Sequence, residues 1–268
     1  MIRFISLASG SSGNCYYLST ETTAVLIDAG IGIRSMKKRF REQGLVFPKV
    51  KGLLVTHDHA DHIKSVGALG EDLRIPVYAT QETHVGINKN YCTKKKLSAQ
   101  SVTYIEKEKP FTVGDMTITP FEVPHDGTDN VGYFIELDGK TFCVATDIGY
   151  ITDTASSYMR RASYLVIESN YDATMLANGR YPQRLKERIA GLHGHLCNSD
   201  AAAFIAQQAA AGQLKYAWLC HLSQDNNNPE LALKTVVAQL EEKGLQIGRD
   251  VEVVPLKRQL PSKMFEFE

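Results

Sequence analysis

The chain has 268 residues, 43% of them hydrophobic and 22% charged, which is the composition of an ordinary soluble globular protein. Lys plus Arg and Asp plus Glu both number 30, so the formal net charge is zero and no overall basic field indicates a nucleic-acid partner. The five cysteines form no C-x-x-C pair, and neither a long apolar signal core nor a run of 18 apolar residues occurs. We therefore expect a cytoplasmic protein with reduced thiols and no membrane segment, and not a secreted enzyme that destroys periplasmic antibiotics.

Strand and helix signals alternate over the first hundred residues. Alternating or continuous apolar residues mark the strands, and apolar residues three and four apart mark the helices. In chain order the sequence predicts a strand at 2–8, a hairpin at 15–18 and 24–27, a helix at 31–43, a strand at 53–55, a helix at 63–69, a strand at 76–79 and a helix at 81–90.

Two loops in this region have a second interpretation. The turn at 10–14, which contains Ser11, Ser12 and Asn14, is either an ordinary hairpin connection or a site that presents N–H groups and hydroxyls to an anion. The three lysines at 94–96 are interpreted as a solvated charge run, with contact to a phosphate backbone as the alternative.

From residue 101 onward, strands come first and helices follow. Asp138-Gly139 is a strong two-residue hairpin turn between two of the strands. No repeat, low-complexity tract or linker occurs, so we expect one domain over residues 1–268 with two sheets inside. The predicted elements are strands at 101–105, 116–123, 131–137, 140–145 and 164–168, helices at 172–178, 182–191 and 200–211, a strand at 216–220, a helix at 229–243 and a strand at 251–254.

Four side chains that commonly bind metals follow the buried strand 53–55 within six residues: His57, His59, Asp61 and His62. Side chains two apart in an extended segment point the same way, so His57 and His59 can hold one cation. Asp61 and His62 come where the chain turns into a helix, and they can face a second cation. Imidazole and carboxylate ligands suit zinc, manganese or iron in a catalytic site, whereas structural zinc sites are rich in thiolates.

Three further residues of ligand type follow predicted strands elsewhere in the chain: His125, Asp147 and His221. Each alone is more typical of a packed histidine or a turn aspartate. Because strand ends converge on one edge of a layered sheet structure, their joint occurrence predicts that they meet the first four. The sequence predicts two divalent metal ions, with His57, His59 and His125 on the first, Asp61, His62 and His221 on the second, and Asp147 bridging both.

At these residues the sequence resembles the metallo-β-lactamase superfamily. Asp28 matches its first motif, His57-x-His59-x-Asp61-His62 its second, and the three later residues its remaining ligands. The resemblance covers nearly the whole chain and implies an α/β (α+β) fold, a four-layer αββα sandwich with two mixed β-sheets face to face and helices outside. It implies that Asp28 supports the metal loops from behind, and Asp58 is expected to do the same.

Within the superfamily the sequence is similar to the YycJ/WalJ branch. Tyr171 stands where members often have histidine and Cys197 where they often have serine, and neither change touches the metal ligands. That branch is associated with 5′ to 3′ exonuclease activity, so the resemblance implies DNA as the partner. The segments that carry the resemblance are 6–14, 168–172, 181–182 and 194–198.

The mechanism implied is hydrolysis of a phosphodiester. Two adjacent metal ions can bind a hydroxide between them, which would attack phosphorus in line. Asp61 and His195 are the predicted catalytic residues. His195 lies just before a helix N-terminus, where it is expected to bind a phosphate oxygen or protonate the leaving alkoxide, although packing or capping is the alternative. Further substrate contacts are predicted for Ser11, Ser12, Asn14 and Asn198.

Three other functions use related metal sites. An RNA-processing endonuclease of the tRNA 3′-processing type would carry a Gly- and Pro-rich arm and a His-Glu-Ala-Thr segment, and neither is evident. A small-molecule thioester, lactam or phosphodiester hydrolase would use the same hydroxide. A flavodiiron-like oxidoreductase usually has an acidic residue in place of the second motif histidine, whereas His59 is present here.

Overall fold

The computed structural model describes residues 1–268 and contains two β-sheets of seven strands each. The strands of the first sheet are β1 (Ile2–Ala8), β2 (Cys15–Ser19), β3 (Ala24–Ile27), β4 (Val50–Leu54), β5 (Val77–Ala79), β6 (Val102–Tyr104) and β14 (Phe265–Phe267). The strands of the second sheet are β7 (Phe111–Val113), β8 (Met116–Glu122), β9 (Val131–Leu137), β10 (Lys140–Ala145), β11 (Tyr164–Glu168), β12 (Tyr216–Cys220) and β13 (Glu252–Pro255).

Each sheet has an antiparallel half and a parallel half. The first sheet has the order β14-β1-β2-β3-β4-β5-β6, and its pairs are parallel from β3 onward. The second sheet has the order β13-β12-β11-β10-β9-β8-β7, and its pairs are parallel from β10 to β13. The parallel strands of each sheet end at one edge, where the connecting loops begin.

Eight α-helices lie outside the sheets. A 3₁₀ turn (Phe47–Lys49) and a π-helical turn (Ala68–Asp72) add two irregular segments. No helix combines the length and the apolar character that crossing a membrane requires. The helices are α1 (Ile33–Glu42), α2 (Ala60–Ile63), α3 (Gln81–Lys89), α4 (Asp153–Met159), α5 (Ala173–Asn178), α6 (Gln183–Ala190), α7 (Asn198–Ala210) and α8 (Pro229–Glu241).

Three apolar cores separate four layers. The inner core lies between the sheets and joins Phe4 of β1 to Trp218 of β12, whose ring centroids are 4.4 Å apart. One outer core packs α1, including Met36, against the first sheet. The other packs α7 and α8, including Ile205, against the second sheet. The predicted α/β sandwich, with two mixed sheets face to face and helices outside, is confirmed.

Local sequence explains the turns that fix these layers. Asp138 and Gly139 both have positive φ, 47° and 70°, and join β9 to β10 in the two-residue turn that the sequence predicts. Asn228 accepts a hydrogen bond from the Leu231 N–H at 2.8 Å and begins α8, with Pro229 in its first turn.

Four segments differ from the predicted elements. The short strands β7 and β14 and the helix α4 were not predicted, because three-residue strands show no periodicity and α4 buries only Ala155 and Met159. The helix predicted at 63–69 is replaced by the short α2 and the π-helical turn.

Candidate metal centre

The side chains of ligand type converge at one end of the sandwich, and they come from both sheets. β4 of the first sheet leads into the motif that begins at His57. In the second sheet, β8 leads to His125, β10 to Asp147, and β12 directly to His221. The ends of these strands therefore bring residues separated by more than a hundred positions to one edge.

His57, His59 and His125 form the first cluster, whose ligand atoms lie within 4.8 Å of one another. His125 Nε2 is 3.3 Å from His59 Nδ1. His125 Nδ1 lies 2.8 Å from the carbonyl oxygen of Gly194, which can only accept, so this nitrogen donates and Nε2 keeps its lone pair. His57 Nε2 is buried and has no hydrogen-bond partner. The cluster thus presents three imidazole nitrogens to one point.

Asp61, His62 and His221 form the second cluster, again with ligand atoms within 4.8 Å of one another. His62 Nδ1 donates to Asp28 Oδ2 at 2.8 Å, which leaves Nε2 facing the cluster. His221 Nε2 lies 3.3 Å from Asp61 Oδ2. Two imidazoles and one carboxylate therefore share a second point.

Asp147 lies between the two clusters. Its Oδ2 is 3.2 Å from His62 Nε2 of the second cluster, and its Oδ1 is 3.7 Å from His125 Nε2 of the first. Oδ1 is also 3.6 Å from His221 Nε2. The carboxylate is buried, and its two oxygens face both clusters, as a bridging ligand requires.

The two clusters differ in their electrostatics. Burial, reinforced by the charge of His62, holds the pKa of His57 well below its usual range, and burial also lowers the pKa of His125. Burial also lowers the pKa of the histidines in the second cluster, but the nearby carboxylates raise it by more. Asp147 and its neighbours raise the pKa of His221 to about 10 and that of His62 well above its usual range. The second cluster is therefore an environment that stabilises positive charge.

Three residues of the centre have left-handed backbone conformations. The φ angles are 59° for Asp28, 51° for Asp147 and 53° for His221. Each residue follows the end of a buried strand, and a left-handed residue there turns the chain sharply. Such conformations cost about 1–3 kcal/mol each in non-glycine residues and are concentrated at functional sites.

Asp28 and Asp58, which the sequence predicts to support the metal loops, each accept hydrogen bonds from loops of the centre. Asp28 Oδ1 accepts from the Thr56 N–H at 2.8 Å, while Oδ2 accepts from His62. Asp58 accepts from the Thr128 N–H at 2.9 Å and from the Thr128 hydroxyl. Asp28 thus fixes a ligand directly, whereas Asp58 fixes the loop that follows His125.

Glu168 is a buried residue of the centre that the sequence reasoning did not select. Its Oε1 accepts from His195 Nδ1 at 2.7 Å and from His221 Nδ1 at 3.1 Å. Its Oε2 accepts from the backbone N–H groups of Ile148 and Leu196. One carboxylate therefore joins three loops. The available signal was its position at the end of a buried strand, the same feature that marked the selected residues.

Asp126 is a second residue that was missed, although it directly follows His125. Its Oδ1 lies 3.3 Å from His59 Nε2 and 3.5 Å from His125 Nε2. Its Oδ2 accepts from Arg188 Nε at 2.7 Å. The Arg188 guanidinium and the neighbouring histidines keep the pKa of Asp126 below its usual value despite partial burial. This chain of contacts connects α6 to a metal-facing histidine.

The predicted substrate contacts at the turn 10–14 divide into two kinds. Ser11 and Ser12 are exposed. Asn14 is buried, and its Nδ2 lies 2.9 Å from His62 Nε2. The Asn14 N–H also donates to the Asp61 carbonyl at 2.7 Å. Asn14 therefore lies among the ligands, and only the two serines are open to an approaching substrate.

Asn198 and His195, both predicted to contact substrate, have different surroundings. Asn198 is buried and its amide is paired with Asn227 and with the Ser169 hydroxyl, which accounts for both of its polar atoms. The substrate contact of Asn198 stays a prediction, for which its burial and these pairings leave one N–H of the amide. His195 is 18% exposed and beside Asp147 and Glu168, whose charges outweigh burial and raise its pKa.

The residues present fit divalent metal ions. His57 Nε2 is buried without a partner, and such an orphaned acceptor is rare unless a ligand satisfies it. The donor set contains imidazoles and carboxylates and no cysteine, which matches zinc or manganese in catalytic sites. Hydrogen bonds behind His62, His125 and His221 fix the nitrogen that each ring presents.

Comparison with known proteins agrees with this geometry. The family model described as the β-lactamase superfamily domain matches residues 23–221. The chain is 36% identical over 266 residues to an exodeoxyribonuclease YycJ of Bacillus anthracis, covering 98% of each chain. It is 35% identical over 252 residues to an exodeoxyribonuclease WalJ of Streptococcus pneumoniae, covering 94% of this chain and 93% of the relative.

A solved structure has the same fold. The metallo-β-lactamase fold protein YhfI from Bacillus subtilis matches with a TM-score of 0.70 at 17% identity, covering 97% of this chain and 98% of that one. The resemblance drawn from the motifs and the prediction of a metal-dependent hydrolase are therefore confirmed. The chain belongs to the metallo-β-lactamase superfamily and, within it, to the YycJ/WalJ family.

Proposed function

We propose that the chain is a dinuclear-metal exonuclease that hydrolyses phosphodiester bonds of DNA in the 5′ to 3′ direction. The observation that carries this proposal is the pair of ligand clusters with Asp147 between them. The relatives named as exodeoxyribonucleases support DNA as the substrate class. All five cysteines are free, which supports the reducing cytoplasm as the compartment.

The clusters would hold one cation each: His57, His59 and His125 the first, Asp61, His62 and His221 the second. When bound, the two ions would supply a water acidified to near neutral pH as the nucleophile and would neutralise charge on the phosphate. The protein residues hold the ligand nitrogens in fixed orientation through Asp28, Glu168 and the Gly194 carbonyl. Because the ligands are already oriented, the free-energy cost of ordering flexible ligands does not arise at each turnover.

His195 is the proposed proton donor to the leaving alkoxide. Its Nδ1 donates to Glu168 at 2.7 Å, so Nε2 is the nitrogen left for the substrate. The charges of Glu168 and Asp147 raise its pKa against the effect of burial and so favour the protonated ring. A protonated imidazole held in place can transfer its proton as the phosphorus–oxygen bond breaks.

A digestion assay tests this proposal. Purified protein with added Mn²⁺ or Zn²⁺ would be given 5′-labelled and 3′-labelled DNA duplexes, the matched single strands and RNA. We expect stepwise release of nucleotides from the 5′ end of DNA. His59→Ala is the matched control, because it removes one ligand from the first cluster, and it is expected to be inactive.

Other outcomes would contradict parts of the proposal. Internal cuts in RNA, with DNA intact, would favour the RNA-processing endonuclease. Hydrolysis of a thioester or lactam without any cleavage of nucleic acid would retain the metal centre and discard the substrate class. Equal activity of His59→Ala, with its metal content shown to be reduced, would remove the two-metal assignment.

A further inference from the structure

A cavity of about 380 Å³ lies beside the metal motif, outside the two ligand clusters. It is formed where the residues after α2 meet the loop that follows α3. Its volume falls in the range of small-molecule sites. Its lining includes Gly67, Tyr91, Lys64, Lys94 and Lys95.

The position of this cavity is tied to the metal centre. Lys64 follows the ligand Asp61 by three residues, which is about one helical turn. Asn90, directly before Tyr91, donates through Nδ2 to the carbonyl oxygen of Asp58 at 2.9 Å. These two links place the cavity beside the loop and the helix that carry Asp58 and Asp61.

The loop that carries the aromatic and basic residues is held close to the π-helical region. A Cβ on Gly67 would lie 1.9 Å from the Lys95 carbonyl oxygen, so only glycine permits this approach. The Leu97 N–H donates to Asn88 Oδ1 at 3.0 Å, which closes the loop on itself. The cavity wall is thus fixed by a close backbone approach at Gly67 and by the Asn88 side chain.

Tyr91 is the most exposed large apolar side chain of the molecule, at 86%. It belongs to none of the three apolar cores and has no aromatic ring packed against it. An aromatic ring left open beside a cavity offers a face on which a nucleobase can stack, and base–aromatic stacking is independent of sequence.

The lysines around Tyr91 supply unpaired positive charge. Lys95 forms an ion pair with Asp72. Lys64 and Lys94 are exposed, and neither forms an ion pair with an acidic side chain. Since the whole chain has a net charge of zero, two free ammonium groups beside an open aromatic ring are a local feature and not part of a general basic surface.

We infer that this cavity is a nucleotide subsite, in which a base of single-stranded DNA stacks on Tyr91 while Lys64 and Lys94 bind the adjacent phosphates. The inference rests on the proposed function, because it names the part of the same substrate strand that lies beyond the scissile bond. Because the subsite includes Lys94, the first residue of the lysine run 94–96 takes the alternative role of phosphate contact.

Steady-state digestion of a short single-stranded thymidine oligonucleotide tests the subsite. Tyr91→Ala is expected to raise KM roughly tenfold, and Tyr91→Phe, which keeps the ring, is expected to retain the KM of the wild type. Lys64→Ala and Lys94→Ala are each expected to reduce the slope of log KM against log salt by about 0.7. Lys51→Ala is the matched control, since this exposed lysine lies near the start of β4, away from the motif.

Each result decides between the two proposals. Equal KM for Tyr91→Ala and wild type, in a protein that digests the oligonucleotide, would overturn the subsite and leave the exonuclease proposal intact. A wild type that digests no DNA would overturn both. If Tyr91→Ala does not fold, as judged by circular dichroism, the salt slope of Lys94→Ala decides: an unchanged slope would overturn the subsite.

Discussion

At the residue scale, the centre depends on buried carboxylates that lie behind its histidines. An imidazole can present either nitrogen, and the hydrogen bond on its far side selects one of them. Asp28 makes this selection for His62, and Glu168 makes it for His221. The donor atoms are thereby oriented before any cation binds. A substitution of Asp28 or Glu168 should therefore act through the histidine that it contacts.

Asp147→Asn tests the bridging carboxylate. Asparagine tolerates the left-handed φ of 51°, so the backbone is unaffected and only the charge is lost. We expect activity to fall by at least about 100-fold, which is the upper effect of perturbing a supporting group, and bound metal to decrease while the fold is retained. Metal analysis and circular dichroism would show this. Full activity at reduced metal content would contradict the bridge.

His195→Ala is expected to lower kcat by about 100- to 10,000-fold, the usual contribution of a general acid, without emptying the metal clusters. His193→Ala is the matched control, because His193 is an exposed histidine two residues away. Single-turnover rates and metal content would be measured for both. If the two variants behave alike, His195 has a structural role.

The residue scale also shows what could be predicted from sequence. The seven residues of ligand type were selected from their spacing and strand positions, and the structure brings all seven together. Glu168 and Asp126 were missed because a position near a strand end was the one signal that marked them, and the histidines they contact are set by tertiary structure. The pairing of Asn198 with Asn227 was not predictable for the same reason, since the two residues are distant in sequence.

At the element scale, strand ends decide where the chemistry lies. Long buried strands and amphipathic helices were predictable because burial imposes a period on the sequence. The edge strands β7 and β14 were not, because their pairing partners and not their own residues define them. The short helix α2 starts immediately after His59, so its first turn presents Asp61 and His62 at the spacing the motif requires.

Asn228→Ala tests how much a cap contributes to α8. Loss of the side-chain acceptor for the Leu231 N–H should lower the free energy of unfolding by about 1 kcal/mol. Urea denaturation would measure the difference. Lys234→Ala, an exposed position in the same helix, is the control and should change stability by less than about 0.5 kcal/mol. Equal effects would show that the cap is not the cause.

At the scale of the whole molecule, the two sheets share one inner core and one site. Tyr133 of the second sheet donates to the carbonyl oxygen of Val55, beside the first sheet, at 2.7 Å. The ligand clusters also take side chains from both sheets. We therefore expect the chain to unfold in a single transition, as one domain over residues 1–268.

Removal of metal should weaken this assembly. Ligand present at about 100 times its Kd stabilises a fold by about 2.7 kcal/mol, so Mn²⁺ or Zn²⁺ should raise Tm and a chelator should lower it. Calorimetry with metal and with chelator would measure Tm for the wild type and for His59→Ala. The Tm of the variant should change less between the two conditions. An identical Tm with metal and with chelator would contradict a site that binds metal in the folded state.

Because its ligands come from both sheets, the centre is completed late during synthesis of the protein. Synthesis proceeds from the N-terminus at about 5–20 residues per second, and His57 to His62 leave the ribosome long before His221. The first sheet is completed only when Phe265–Phe267 pairs with Ile2–Phe4 at its edge. A chain synthesised as far as Asp147 therefore carries six of the seven residues of ligand type, and the second cluster is complete only after His221 has been added.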